Sequence, residues 1–414
     1  MRYCARSRRF ALLATAALVA GLTFVVGVPS PVAAPAVRRQ EWWIGQLDLS
    51  TVWQRSTGAG VRVAVLDSGV DSSVGDLRGA VTTGFDASGR PGDGRTDTDP
   101  GRHGTSMAAL IAGRGRTPGI VGTAPGATIL PVALGEPSPA ATERALARLT
   151  ASALPPQVVN MSFAGASSCP AGLRRAVRAA VNRGLILVAA AGNQGALGNP
   201  PQAPADCPGV LAVAASDRAG SPSHLGSSGS YIALAAPGVD AVGYTSALKV
   251  RGLDGSSASA AIVSGVVADL RAAFPWMPSR QLIARLLSTA TPGDPGVPAA
   301  RGQRNVVFGF GIVSAAAALT TDVPADAPNA VYAPLGPSAG ATVPVPGASA
   351  ADASQAPPGS GAASRAPPEP AAAPDRSGWS ALDLLGVLAG CLGIVLLVLA
   401  VVRTRISPRG RGRR

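Results

Sequence analysis

Val61-Arg62-Val63-Ala64-Val65-Leu66-Asp67-Ser68-Gly69 decides the fold. Its β-branched, apolar run predicts a buried strand, and Asp67-Ser68-Gly69 predicts the turn that ends it. Short runs of the same kind recur at Ile129 to Leu134, Val158 to Met161, Leu185 to Ala190 and Val210 to Ala214. Helical patterns separate them, at His103 to Ala112, Ala140 to Ala153 and Leu173 to Arg183. Strands alternating with helices predict an α/β fold in which helices cover both faces of a mostly parallel sheet. In such sheets chemistry gathers at the carboxyl ends of the strands. Asp67 and Asn193 each stand just past one of these ends. No internal repeat is present.

Three polar landmarks interrupt the apolar framework. They are VAVLDSGV with Asp67, GRHGTSMAALIAG with His103 opening a helix, and GSSASAAIVSG with Ser257 opening another. Each residue taken singly also has a bland role: a turn aspartate, a surface histidine, a serine at a helix N-cap. Together they supply what a weak nucleophile needs. A serine hydroxyl needs a base within reach, and the base needs a carboxylate to orient it. Asp, His, Ser is the chain order of subtilisin, distinct from the orders in chymotrypsin and the α/β-hydrolases. The chain resembles the subtilases over about Trp42 to Leu319. VGTAPGATILPVAL, VVNMSF, VAAAGN, LAAPGV and the closing FGFGIVSAAAAL carry the resemblance further.

The resemblance implies a subtilisin-like three-layer fold and a serine endopeptidase acting on polypeptides. Ser257 would attack the peptide carbonyl, His103 would shuttle its proton, and Asp67 would hold the imidazole. Asn193 would donate its amide to the oxyanion beside the Ser257 backbone N–H. Ser162, Phe163 and Ala164, with Ala190, Ala191 and Gly192, would flank the residue before the scissile bond. The sequence departs from the subtilase pattern in three places: Ser256 where Thr is usual, Ala261 where Pro is usual, and Ala164 in place of Gly. The last of these predicts a narrower groove. The chemical step calls for no cofactor. With only His103 and His224 in the chain, a three-histidine zinc site is ruled out, and HExxH and CxxC are absent. The stretch with Asp93, Asp97 and Asp99 could bind a cation, but it lacks EF-hand spacing and reads rather as a solvated loop near His103; His224 also reads as solvated.

The remaining sequence addresses the membrane. The chain has 414 residues and a net charge of +13. Ten arginines lie in the first ten and last twelve residues; with Asp383 set against them, about +4 is left for everything between. A basic nucleic-acid-binding patch on the body is therefore not indicated, and nucleic acid is not an expected partner. Residues 1–36 have the basic, apolar and small-residue regions of a signal peptide, with cleavage between Ala33 and Ala36; an uncleaved signal anchor is the alternative. Residues 37–55 read as an N-terminal extension and 56–320 as the peptidase domain. Residues 321–378, rich in Pro, Ala and Gly, read as a linker without a core of its own. In Ala381 to Val402 only Asp383 is charged, and the run is long enough to span a bilayer; Trp379 stands at its edge. Residues 379–402 therefore read as a transmembrane helix, and 403–414 as a basic cytoplasmic tail.

A signal, no long prodomain, a proline-rich stalk and one C-terminal helix resemble the mycosins. These are the membrane-anchored subtilisin-like proteases of type VII secretion systems. That resemblance implies the type VII secretion membrane complex as a partner, along with polypeptide substrates and the lipid bilayer. It admits a second role, a structural subunit that stabilises the complex with proteolysis secondary. Of the four cysteines, Cys4 falls in the signal and Cys391 in the membrane run. Cys169 and Cys207 remain, either as two buried thiols or as a pair. Mycosins carry a disulfide in this region, so the resemblance implies a Cys169–Cys207 bond.

Overall fold

The computed structural model describes residues 36–116, 119–294, 303–337 and 339–346. Seven strands form one parallel sheet: β1 (Arg62–Asp67), β2 (Phe85–Asp86), β3 (Thr128–Ala133), β4 (Val158–Met161), β6 (Ile186–Ala190), β8 (Val210–Ser216) and β9 (Ile232–Pro237). Their spatial order is β2-β3-β1-β4-β6-β8-β9. From β1 the chain goes first to β2 at the edge and back to β3 between them, then crosses to β4 and builds the other way. The order therefore reverses at β1 and β4, the place where open parallel sheets leave a crevice. Val63 to Val65 pair in register with Val158 to Asn160, and Val158 to Met161 with Ile186 to Ala189. Two antiparallel pairs complete the strands: β5 (Gly165–Ala166) with β7 (Gln202–Ala203), and β10 (Ala241–Tyr244) with β11 (Val250–Leu253).

The core strands are fully buried, so they read as continuous apolar runs without alternation. One helical layer holds α4 (His103–Ala112) and α7 (Ser256–Ala273). α7 lies against β4, β6, β8 and β9. Its first two-thirds, SSASAAIVSGVV, is built from small and β-branched residues and is nearly all buried, which lets the helix sit close to the sheet. The second layer pairs α5 (Pro139–Ala151), N-capped by the Ser138 hydroxyl, with α6 (Ala171–Asn182). Leu173, Val177, Ala180 and Val181 form the buried stripe of α6, at the spacing expected of an amphipathic helix. α8 (Ser279–Thr289) and α9 (Ala315–Thr320) pack on each other and on α7.

At both ends the body is larger than the sequence suggests. The N-terminal extension forms α1 (Ala36–Gln40), α2 (Trp43–Gln46) and α3 (Leu49–Trp53). Trp43 and Leu49 have no exposed surface, and Trp53 Nε1 donates to the Thr123 carbonyl at 2.7 Å. The segment is a buried part of the domain. At the other end, the first part of the expected linker is no free tether. Val323, Val331, Tyr332, Leu335, Ala339, Val343 and Val345 are all buried against the body. They lie too irregularly for periodicity to show them, because the segment packs as an extended strap. The strap is held by backbone pairing, with Ser279 N–H donating to the Ala341 carbonyl and Arg280 N–H to Gly340. Arg280 also donates to the Ala339 carbonyl at 2.9 Å and to that of Gly336.

The expected signal peptide and the transmembrane run at 379–402 lie outside the described residues, apart from Ala36. Among the described residues no helix is long and apolar enough to cross a membrane.

Candidate active site

Asp67 is the last residue of β1, and its position is set by the strand. Its carboxylate accepts the Ser68 backbone N–H at 2.8 Å. His103, at the first position of α4, brings its Nδ1 to 2.9 Å from Asp67 Oδ1 and 3.0 Å from Oδ2. The Asp99 carboxylate accepts the His103 backbone N–H at 2.9 Å, which holds the start of the helix. Burial pulls the imidazole down, but the Asp67 carboxylate, backed by Asp99 and Asp97, outweighs it and holds His103 at about 8.

Asp97 departs from the solvated-loop expectation. It is buried, and it accepts Thr105 N–H at 2.9 Å, Asp99 N–H at 3.0 Å and the Ser68 hydroxyl at 2.8 Å. Its carboxylate is committed to tying the Asp-rich loop to α4 and β1. His224 is exposed.

Ser257 lies in the first turn of α7 and lines the same cleft as Asp67 and His103. Its hydroxyl donates to the Ser162 carbonyl at 2.7 Å, and among the described residues no hydrogen bond joins it to His103. The Ser162 hydroxyl in turn donates to the Ser257 carbonyl at 2.9 Å. Behind it Asn160, buried in the middle of β4, donates to Ser162 Oγ at 2.9 Å. An amide inside an otherwise apolar strand was the sequence signal for this link.

Asn193 follows β6. Its Oδ1 accepts both the backbone N–H and the hydroxyl of Ser256, each at 3.0 Å. The Ser256 hydroxyl itself accepts Gly192 N–H at 3.1 Å. Two donors on Oδ1 decide which end of the amide is oxygen, and leave Nδ2 to donate elsewhere. Gly255, with φ of 138°, makes room for it: a Cβ there would lie 2.6 Å from Asn193 Nδ2. Ser256, which in sequence was only a departure from the usual Thr, therefore positions the amide.

These groups line a cleft of about 760 Å³. Ser162, Phe163, Ala164, Ala190, Gly192 and Gln202 are among the residues that line it. Ala191 is fully buried. Asp99 and Glu136 also line it. Cys169 and Cys207 are joined in a disulfide, their Cα atoms 5.1 Å apart. Among the described residues they and Asp206 form the one cluster compact enough to hold an ion, and the bond has consumed both thiols.

The subtilase family matches the chain over residues 58–311. The chain belongs to the subtilase family of serine proteases. Mycosin-3 of Mycobacterium tuberculosis is 32% identical over 365 residues, covering 72% of this chain and 76% of its own. The extracellular protease of Xanthomonas campestris pv. campestris is 30% identical over 69% of this chain, and the match spans 56% of that protein's length. Among solved structures, the subtilase MycP3, described as a protease from the type VII (ESX-3) secretion system, superposes with a TM-score of 0.56 at 31% identity. That superposition covers 68% of this chain and 88% of the other. The chain is thus a subtilase related to the mycosins.

Proposed function

We propose that this subtilase is a membrane-anchored endopeptidase that cuts polypeptides outside the cytoplasmic membrane, in association with a type VII secretion system. The observation that carries the catalytic reading is the meeting of three parts in one cleft: the Asp67–His103 pair, the Ser257 hydroxyl and the pinned Asn193 amide. Rotation about the Cα–Cβ bond moves the Ser257 hydroxyl from the Ser162 carbonyl towards His103 Nε2. The imidazole takes the proton as Ser257 Oγ adds to the scissile carbonyl, and Asp67 stabilises the imidazolium. Asn193 Nδ2 and the Ser257 N–H receive the oxyanion. His103 then passes the proton to the leaving amine, and water releases the acyl group by the same steps in reverse. All of this chemistry uses the chain's own groups.

The secretion role is carried over from the mycosin relatives, and the anchor rests on the apolar run at 379–402. Replacing Ser257 by Ala tests the catalytic core. Peptide cleavage should fall by at least about 10⁴-fold, and fluorophosphonate labelling should vanish while the fold survives. Labelling at the wild-type level in the variant would refute Ser257 as nucleophile. The same variant, expressed in a deletion strain, separates proteolysis from a structural role: rescue of secretion by the dead enzyme would favour the latter.

A further inference from the structure

Ser162 and Ser257 exchange two hydrogen bonds. The Ser257 hydroxyl donates to the Ser162 carbonyl at 2.7 Å, and the Ser162 hydroxyl donates to the Ser257 carbonyl at 2.9 Å. When Ser257 Oγ turns towards His103, the first bond breaks. The second remains to hold the main chain of Ser257 against the end of β4. It does so while the Ser162 hydroxyl points at that carbonyl, and a serine hydroxyl rotates to suit its neighbours.

Two buried groups decide which way it points. Asn160 Nδ2 donates to Ser162 Oγ at 2.9 Å, so the proton on that oxygen turns elsewhere. Asn160 Oδ1, 3.2 Å from the same Oγ, competes with the Ser257 carbonyl for that proton. The Ser264 hydroxyl, from the third turn of α7, donates to Oδ1 at 3.0 Å and shares its proton with the Ala260 carbonyl at 2.8 Å. With Oδ1 supplied, the donors run in one sense, from Ser264 through Asn160 and Ser162 to the carbonyl of Ser257.

Stability does not call for this amide. Asn160, Ser162 and Ser264 are all buried. Were residue 160 apolar, Ser264 would keep the Ala260 carbonyl and Ser162 the Ser257 carbonyl, so neither hydroxyl would lose its last acceptor. Burying an amide is costly, and replacing one whose partners stay satisfied by an apolar group of the same shape is nearly neutral.

We infer that Asn160 and Ser264 are positioning residues for the nucleophile: they aim the Ser162 hydroxyl, which holds the Ser257 main chain while its Oγ leaves for His103. This deepens the endopeptidase reading above and rests on it.

Rates of fluorophosphonate labelling, which need no known substrate, test this, together with melting temperatures and steady-state kinetics on a quenched peptide that the wild-type chain cleaves. Asn160→Leu, close in shape, should melt within about 3 °C of wild type. It should nevertheless label at least about fivefold more slowly, and kcat should fall by a similar factor with KM unchanged. A merely structural role would move the melting temperature and leave the labelling rate of the folded chain alone. Ser264→Ala frees Asn160 Oδ1 to draw the Ser162 proton, so it should slow labelling by a similar factor. It carries the test if Asn160→Leu does not fold. Ser162→Ala removes the hydroxyl through which both act, so adding Asn160→Leu to it should slow labelling no further. A folded Asn160→Leu or Ser264→Ala chain that labels at the wild-type rate would overturn the inference, as would losses that multiply in the double variant. A wild-type chain that fails to label strikes the endopeptidase reading itself; normal wild-type labelling with unchanged variants strikes the positioning role alone.

Discussion

At the scale of single residues, the proposed mechanism makes the protonation of His103 set the working pH. In it the imidazole accepts the Ser257 proton only when neutral, and in the folded protein it is held at about 8, above its ordinary value near 6.5. Activity should therefore rise with pH through a limb near 8 in kcat/KM. The same shift acts on stability with the opposite sense: the charged pair stabilises the fold below about 6.5, and the gain is lost as pH rises through about 8. Replacing Asp67 by Asn removes the attraction that opposes burial, so the limb should move to lower pH while the rate falls steeply. A pH–rate profile of the variant with its limb unmoved would detach Asp67 from the imidazole. Ser256→Ala is a subtler case. It removes one of two donors on Asn193 Oδ1 and the acceptor for Gly192 N–H, leaving the amide looser. Turnover should drop by roughly tenfold while fluorophosphonate labelling stays measurable; steady-state kinetics at wild-type rate would remove Ser256 from the positioning role. That Asp67, His103 and Ser257 would meet in one cleft was legible in the sequence because each sits inside its own strand-end or helix-start motif. The roles of Ser256 and Asp97 were not, because each depends on a contact that only the folded chain creates. Ser256 and Asn193, for example, are 63 positions apart.

At the scale of elements, the same distinction separates sheet from edges. β1, β3, β4, β6 and β8 announce themselves as short β-branched runs, and α4, α5 and α6 fall within a few residues of their expected bounds. β9 was missed as a strand, because Ile232-Ala-Leu-Ala-Ala-Pro is alanine-rich and holds a single β-branched residue. The N-terminal helices were missed because each is about one turn long and is stabilised by what it packs against rather than by propensity. Glu41, between α1 and α2, shows what that packing costs. It is buried, accepts Val121 N–H from its Oε1 at 2.6 Å, and has Arg38 3.4 Å from its other oxygen. Burial raises its carboxyl to about 7, against the help of that N–H and of Arg38. An acid whose folded value is raised destabilises as pH climbs. Between about 4.5 and 7 the native state loses roughly 3 kcal/mol relative to a chain with no such group. Glu41→Gln keeps an acceptor for Val121 and does not titrate. Its melting temperature relative to wild type should therefore rise between pH 5 and pH 8. Parallel curves across that range would show that Glu41 is not the titrating group.

At the scale of the whole molecule, the domain's end lies at the end of the strap, about 25 residues beyond the boundary that composition suggested. The subtilase match stops at residue 311, and α9 ends at Thr320. Yet the strap closes ground that the earlier elements leave open. Tyr332 sits 1% exposed, with Arg280 5.9 Å over its ring. The Asn329 amide donates to the Arg280 carbonyl at 2.7 Å, and Gln157, just before β4, donates to the Pro344 carbonyl at 3.0 Å. Val345 reaches Gly60, next to the start of β1, where a Cβ would meet it at 2.8 Å. The strap thus runs from α8 to the amino ends of the central strands, the end of the sheet away from the cleft. Removing it uncovers apolar surface and leaves Arg280 and Gln157 without these partners, and nothing at the cleft changes directly. Two truncations follow from this. A chain ending after Pro346 should melt at the same temperature as one ending after Gly378 and cleave peptides at the same rate. A chain ending after Thr320 should melt at least about 5 °C lower, as expected when a domain of this size loses a few kcal/mol. At temperatures below its transition it should retain the cleavage specificity of the longer form, since the strap touches no cleft residue. Differential scanning calorimetry of the two truncations decides the matter: equal melting temperatures would return residues 321–346 to the tether.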